Sequence, residues 1–257
     1  MPDSNSSLQS KLLPIAVLVI TVIIWAVISA LNIFPGFAFP SPGEVFSGFI
    51  EEATTGRLFQ DTVASLFRVT VGFGLAVVLG IPIGLWMGVQ SVARDAFLPA
   101  VNFFRNLSPL AWIPFAILWF GLGDAPAIFL IFMAAFFPII LATLAAVANI
   151  PAVYFKVGND FGMKKLEMLK EITFPAIAPQ VITALRVTAG LSWLVVVAAE
   201  MIAGRDGLGF AIWDARNGLR MDLLVSGMIV IGVIGVILDQ ILVQLSKIPS
   251  VRWGYER

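Results

Sequence analysis

The sequence predicts an all-α integral membrane protein with six membrane-spanning helices. Three observations carry this expectation. Apolar residues fill 59% of the 257 positions and charged residues only 12%, about half the share usual in a soluble domain. Mean hydropathy is +0.96. Six segments stay apolar for about 20 residues or more, the helical length that crosses a hydrocarbon core of about 30 Å.

The same composition excludes several kinds of chemistry. The chain has no Cys and no His, so disulfides, zinc sites, thiol nucleophiles and histidine acid–base catalysis are absent. Lys+Arg and Asp+Glu stand at 16 each, which gives no basic excess for nucleic acid. No GxxxxGK[ST] phosphate loop is present, so any driving nucleotide binds another chain.

The expected spans are Leu12–Phe34, Asp61–Val89, Phe97–Phe120, Pro126–Ala148, Gln180–Ala203 and Leu223–Ser246. The first is too long for a signal h-region and lacks a small-x-small cleavage site, so it reads as a retained anchor. Lys11, Arg94, Lys156, Lys164, Lys165, Lys170, Lys247, Arg252 and Arg257 fall in one set of loops and tails. Arg57, Arg205, Arg216 and Arg220 fall in the other. Nine cations against four place both termini in the cytoplasm. The organisation is then a cytoplasmic tail (1–11), a first helix (12–34), an outer loop with a short surface helix (35–60), a core (61–246) and a cytoplasmic tail (247–257). Within the core, 149–179 is a cytoplasmic loop and 204–222 an outer one. No inverted repeat of the secondary-transporter kind is visible.

Several features bear on function. Gly80, Gly84 and Gly88 lie four apart on one face of the second span. Small residues let helix backbones approach in lipid, so this face suits either packing within the chain or a dimer contact. The third span holds Pro99, Pro109 and Pro114 with Arg105, Asn106 and Ser108. Prolines free carbonyls that membrane depth tolerates only against protein or a water-filled cavity. Arg105 either snorkels to the interface or lines a cavity that favours an anion. Arg186 and Glu200 in the fifth span are fourteen residues, roughly 21 Å, apart and cannot pair with each other. Each either bridges to a neighbouring helix or contacts substrate, with Ser192 between them.

The cytoplasmic stretch Asp160–Ile172 reads DFGMKKLEMLKEI, with an apolar stripe of Met163, Leu166, Leu169 and Ile172. It predicts a short helix stopped by Pro175 and Pro179 before the next span. Such a helix either lies on the membrane or docks a soluble partner. The outer stretch GRDGLGFAIWDARNGLR begins at Gly204. It lacks the GK[ST] ending of a phosphate loop, and its glycines and aromatics suit a lid or gate.

The cytoplasmic loop resembles the EAA loop of ABC importer permeases. Gly162, Ile172 and Pro175 stand at the family's positions, Phe174 replaces its Leu, and Lys156, Val157 and Gly158 replace the EAA itself. FPSPGEVF (39–46), SPLAWIPFAILWFGLG (108–123), AAEMIAG (198–204) and GLGFAIWDARN (207–217) resemble the nitrate/sulfonate/taurine permeases, with Ser108-Pro109 and the IWD-x-x-N run leaning to the nitrate/nitrite/bicarbonate branch.

The resemblance implies a type I importer fold with a cytoplasmic coupling helix, in a bacterial inner membrane. It implies no catalytic residue and no cofactor or metal in this chain. Two ATPase subunits would bind ATP and Mg, a second permease copy would complete the pathway, and an extracytoplasmic binding protein would deliver substrate. Gly162, Met163, Lys164, Lys165, Leu166, Glu167 and Pro175 are the expected coupling residues. Arg105, Asn106, Ser108, Arg186, Ser192 and Glu200 are the expected pathway residues. Gly207, Gly209, Trp213, Asp214 and Asn217 are the expected outer gate. The expected cargo is a small anion, nitrate or nitrite first, with sulfonate, taurine or bicarbonate as the alternative. A secondary transporter or channel without an ATPase is the rival class, and a membrane enzyme a weaker one.

Overall fold

The computed structural model describes residues 4–246 apart from 32, 34, 36 and 37. Lys247, Arg252, Arg257 and the side chain of Lys11, expected in the two tails, lie outside the described parts. The chain is all-α, with no strand among the described residues. It divides into two compact units.

The first unit comprises the described parts of Met1–Gln60 together with Ala211–Val230. Helix α1 (Ser4–Ala30) is apolar on nearly every side from Leu12 onward and leaves most of its described side chains exposed there, as lipid contact permits. Helix α2 (Pro42–Thr54) starts where S-P-G-E supplies a capping box. Ser41 N–H donates to Glu44 Oε2 at 2.6 Å, and Glu44 N–H returns a bond to Ser41 Oγ at 3.3 Å. The Trp25 indole N–H donates to Pro40 O at 3.0 Å and ties α1 to the start of α2.

The second unit comprises Asp61–Phe210 and the described part of Ile231–Arg257. Its centre is α6 (Asp124–Ala148), where Leu130, Ile131, Ala135, Ile139 and Ile140 are buried. Helix α3 (Arg57–Val89) lies against α6 along a ladder of small residues at Gly72, Ala76, Gly80, Gly84 and Gly88. A Cβ on Gly84 would stand 2.7 Å from Ile140 O and from Thr143 Cβ, and one on Gly88 2.7 Å from Val147 Cβ. The glycine face expected from the sequence therefore packs within the chain.

Among the described residues, five helices are long and apolar enough to cross a bilayer: Leu12–Ala30, Arg57–Val89, Asp124–Ala148, Lys165–Ala203 and Met221–Gln244. The single helix expected over 97–120 is broken. Helix α4 (Ser91–Asn106) ends where Leu107 and Ser108 turn extended, because a residue before proline avoids the helical region. A 3₁₀ turn (Pro109–Trp112) then leads into α5 (Ile113–Phe120), which at eight residues spans only about 12 Å.

The cytoplasmic-loop expectation also changes. The separate short helix is α7 (Ala152–Asp160), not 160–172. A turn at Phe161–Gly162 follows, then α8 (Lys165–Met168), a π turn (Leu169–Thr173) and α9 (Phe174–Ala203) without interruption. Pro175 and Pro179 do not stop this helix. Pro175 falls in the first turn of α9, directly after the wider π turn, where its missing donor and ring bulk are tolerated. The chain closes with α10 (Leu208–Asn217) and α11 (Met221–Ser246).

Candidate functional site

The residues expected to couple to a partner surround the α7–α8 turn. Gly162 adopts φ +69°, a conformation that costs an L side chain about 1–2 kcal/mol, and no neighbour lies within 4 Å of where its Cβ would be. Met163 is half-buried, with its Sδ facing Gly158. Lys164, Lys165, Leu166 and Glu167 are exposed, and Lys164 N–H donates to Glu167 Oε2 at 2.8 Å, starting α8. Pro175 is exposed at the base of α9. The exposed apolar stripe runs along α7 into the turn after it: Val153, Val157 and Phe161, spaced by four, are exposed beside Tyr154.

The broken third span leaves Arg105, Asn106 and Ser108 exposed at the end of α4 and just beyond it. Asn106 Nδ2 donates to Asn102 O at 2.9 Å. Arg105 has no hydrogen bond or ion pair among the described residues. Behind the break, Phe104 stacks on Phe137 and Trp112 meets Phe129 edge-on, which fastens the segment to α6.

The other expected pathway residues separate. Arg186 forms a bidentate pair with Asp239 of α11, Nε to Oδ1 at 2.5 Å and Nη2 to Oδ2 at 2.7 Å. The Ser192 hydroxyl is buried and donates to Thr188 O on its own helix at 2.9 Å, so it faces no opening.

Glu200 is fully buried and lies at the heart of an ion network. Arg68 of α3, 1% exposed, donates from Nη1 to Glu200 Oε1 at 2.7 Å and from Nε to Asp124 Oδ1 at 2.7 Å. Its Nη2 meets the Asp206 carboxylate, and its Nη1 also donates to Asp206 O at 2.9 Å. Ser65 Oγ lies 2.8 and 2.9 Å from the two Glu200 oxygens and accepts Leu208 N–H at 3.0 Å. Gly209 N–H donates to Glu200 Oε2 at 2.9 Å, and Gly207 N–H to Asp61 Oδ1 at 2.8 Å. The network thus fastens the 204–209 loop to α3, α6 and α9.

The glycines of the stretch read as a lid or gate are held in this network. Gly207 and Gly209 are buried, and their size is what the site needs. Gly207 has φ +100°, and a Cβ there would stand 2.5 Å from Glu200 Oε1 and 2.6 Å from Arg68 Nη1. The remaining gate residues belong to the first unit. Asp214 pairs with Arg57 at 2.6 Å, the Trp213 ring lies under Arg216 at 5.1 Å, and Asn217 is exposed.

Residues 80–247 match the family model described as "Binding-protein-dependent transport system inner membrane component". The chain belongs to this family. It is an ABC importer permease subunit, a transport component and not a catalyst, and a multi-pass membrane protein. A bicarbonate transport system permease of Synechococcus elongatus is 33% identical over 95% of this chain and 91% of its own length. A nitrate import permease of Synechocystis sp. is 33% identical over 91% and 88%. The taurine transport system permease of Escherichia coli is 31% identical over 88% and 84%. The inward-facing MetNI methionine ABC transporter superposes with a TM-score of 0.61 at 18% identity, covering 76% of this permease and 98% of that chain, so the two share a fold.

Sequence reasoning passed over the permease's Arg68, Ser65, Asp61, Asp124 and Asp206. A signal was present. Asp61, Ser65 and Arg68 stand at i, i+4 and i+7 and make a polar stripe along one face of an apolar helix.

Proposed function

We propose that this permease forms the translocation pathway for a small anion, nitrate or nitrite first, with bicarbonate, taurine or another sulfonate as the alternative. An extracytoplasmic binding protein delivers the anion. A second copy of the chain completes the pathway, and two ATPase subunits holding ATP and Mg drive it. The single observation that carries this reading is the likeness, over most of the chain, to permeases for nitrate, bicarbonate and taurine. All three cargoes present a compact oxyanion.

The geometry supports the reading at two places. Arg105 and its polar neighbours stand at the broken third span, where an unpaired guanidinium offsets the cost of bringing an anion out of water. The exposed stripe of α7 and the Gly162 turn offer a surface for the ATPase. The excess of Lys and Arg on that side of the membrane makes it cytoplasmic, with both termini there and the 204–222 loop outside.

The test is ATP hydrolysis and uptake by the complex reconstituted in lipid with its binding protein, with nitrate, nitrite, bicarbonate and taurine offered separately. Stimulation by nitrate or nitrite supports the first cargo. Stimulation by bicarbonate or taurine alone moves the assignment to the alternative. Uptake without any ATPase subunit overturns the reading in favour of a secondary transporter. A charge-assisted hydrogen bond is worth about 1.5–3 kcal/mol, so Arg105→Ala is expected to lower uptake by about tenfold or more at unchanged complex recovery. A matching loss of assembled complex would make Arg105 a structural residue.

A further inference from the structure

The base of α9 holds an irregular stretch of backbone between two voids. Leu169–Thr173 is a π turn, which carries one residue more than an α-helical turn and recurs at functional positions. Thr173 is 2% exposed, and its hydroxyl donates to Met168 O, five residues back, at 3.3 Å. That bond bridges the extra residue. A cleft of about 490 Å³, lined by Trp86, Phe155, Met168 and Thr173, opens on one side. Another of about 540 Å³, lined by Ile150, Tyr154, Ile172 and Pro175, opens on the other. Tight packing resists movement in most helix bases, and here it is missing on both flanks.

Helix α7 rests on this turn. Gly158 is buried, and a Cβ there would stand 3.0 Å from Ile172 Cδ1 and 3.1 Å from Met168 Cε. A neighbouring face of α7, about a quarter-turn round from Gly158, carries the exposed Val153 and Val157, and the exposed Phe161 continues it into the turn. Force applied to that face therefore reaches the π turn through Gly158, Met168 and Ile172.

We infer that the π turn is the joint through which α7 moves α9, with Ile172 and Thr173 as its positioning residues. The joint changes the angle and twist between α8 and α9, and the two clefts take up the displaced side chains. Helix α9 carries Arg186 and Glu200, so movement at its base reaches the polar groups along it. The inference rests on the docking role proposed for α7.

The test uses the reconstituted complex with its binding protein and whichever of nitrate, nitrite, bicarbonate or taurine the wild type takes up. The readout is anion taken up per ATP hydrolysed. Ile172→Ala and Thr173→Val are expected to assemble and hydrolyse ATP while uptake per ATP falls about fivefold or more, the lower end of energetic coupling between sites. Thr173→Ser keeps the hydroxyl and is expected to restore the wild-type ratio. Wild-type ratios in both variants, or hydrolysis and uptake falling together with complex yield, would overturn the inference while leaving the proposed function standing. A wild-type complex that takes up none of the four compounds would overturn both. The chain has no cysteine, so spin labels at Lys156→Cys and Val187→Cys in an otherwise native permease chain, assembled with cysteine-free partner subunits, provide a second measurement. Their separation is expected to change between nucleotide-free and ATP-bound states. An unchanged separation would show that the α7–α9 joint is stiff.

Discussion

Arg68 faces more carboxylates than it can neutralise: Glu200, Asp124 and Asp206 all lie within ion-pair distance. Glu200 in turn depends on Arg68, because its other partners, Ser65 and Gly209 N–H, are neutral. Breaking a buried pair from one side strands a charge and costs about 3–5 kcal/mol, whereas replacing both members with apolar groups costs far less. Arg68→Gln is therefore expected to lower the thermal midpoint of the purified complex sharply, and Arg68→Met with Glu200→Met to recover most of it. An unshifted midpoint in the single variant would show that Glu200 is compensated elsewhere. Gly207→Ala is expected to be destabilising on two counts, with about 1–2 kcal/mol from its positive φ and further strain from the Cβ against Glu200 and Arg68. Loss of folded yield, measured by size-exclusion recovery, checks it. The sequence marked Glu200 and Gly207 separately. Their meeting with Arg68 was hidden because the contact joins positions 132 residues apart.

At the scale of elements, the glycines of α3 differ in kind. Gly84 faces α6, with Ile140 O and Thr143 Cβ at 2.7 Å from a built Cβ, while Gly74 on the same helix has nothing within 4 Å. Overpacking costs about 1–3 kcal/mol, and an open helical glycine gains about 0.5–1 kcal/mol on becoming alanine. Gly84→Ala is thus expected to lower the thermal midpoint and Gly74→Ala to hold or raise it. Equal effects would mean that the ladder does not set the α3–α6 distance. The four-residue spacing was legible in the sequence because helical faces are periodic, whereas the identity of the opposing helix was not. Prolines were legible only as bends or stops. Whether Pro109 breaks a helix and Pro175 does not depends on the extended Ser108 before one and the π turn before the other. A π turn leaves no periodic signal in the sequence.

At the scale of the whole molecule, composition alone made the membrane class legible, and motifs spread from Phe39 to Asn217 pointed to the family that the comparison shows. The short helix of the 149–179 loop was less accessible. The sequence placed it after Gly162, whereas the separate helix lies before it. Gly162 is then the turn that sets where α7 stands relative to α8. Asn tolerates its positive φ better than other side chains. Gly162→Asn is expected to keep ATP-driven uptake, and Gly162→Arg to lose it while ATP hydrolysis persists. Normal uptake by the Arg variant would remove Gly162 from the docking surface. The glycine ladder carries a consequence for motion. With side-chain bulk removed from their seam, α3 and α6 touch backbone to side-chain root over about five turns and have no slack in which to slide or roll. They behave as a keel. An exchange between inward and outward access is then expected to carry the two together as one beam, with its bending at the interrupted third segment and at the joint inferred for the foot of α9.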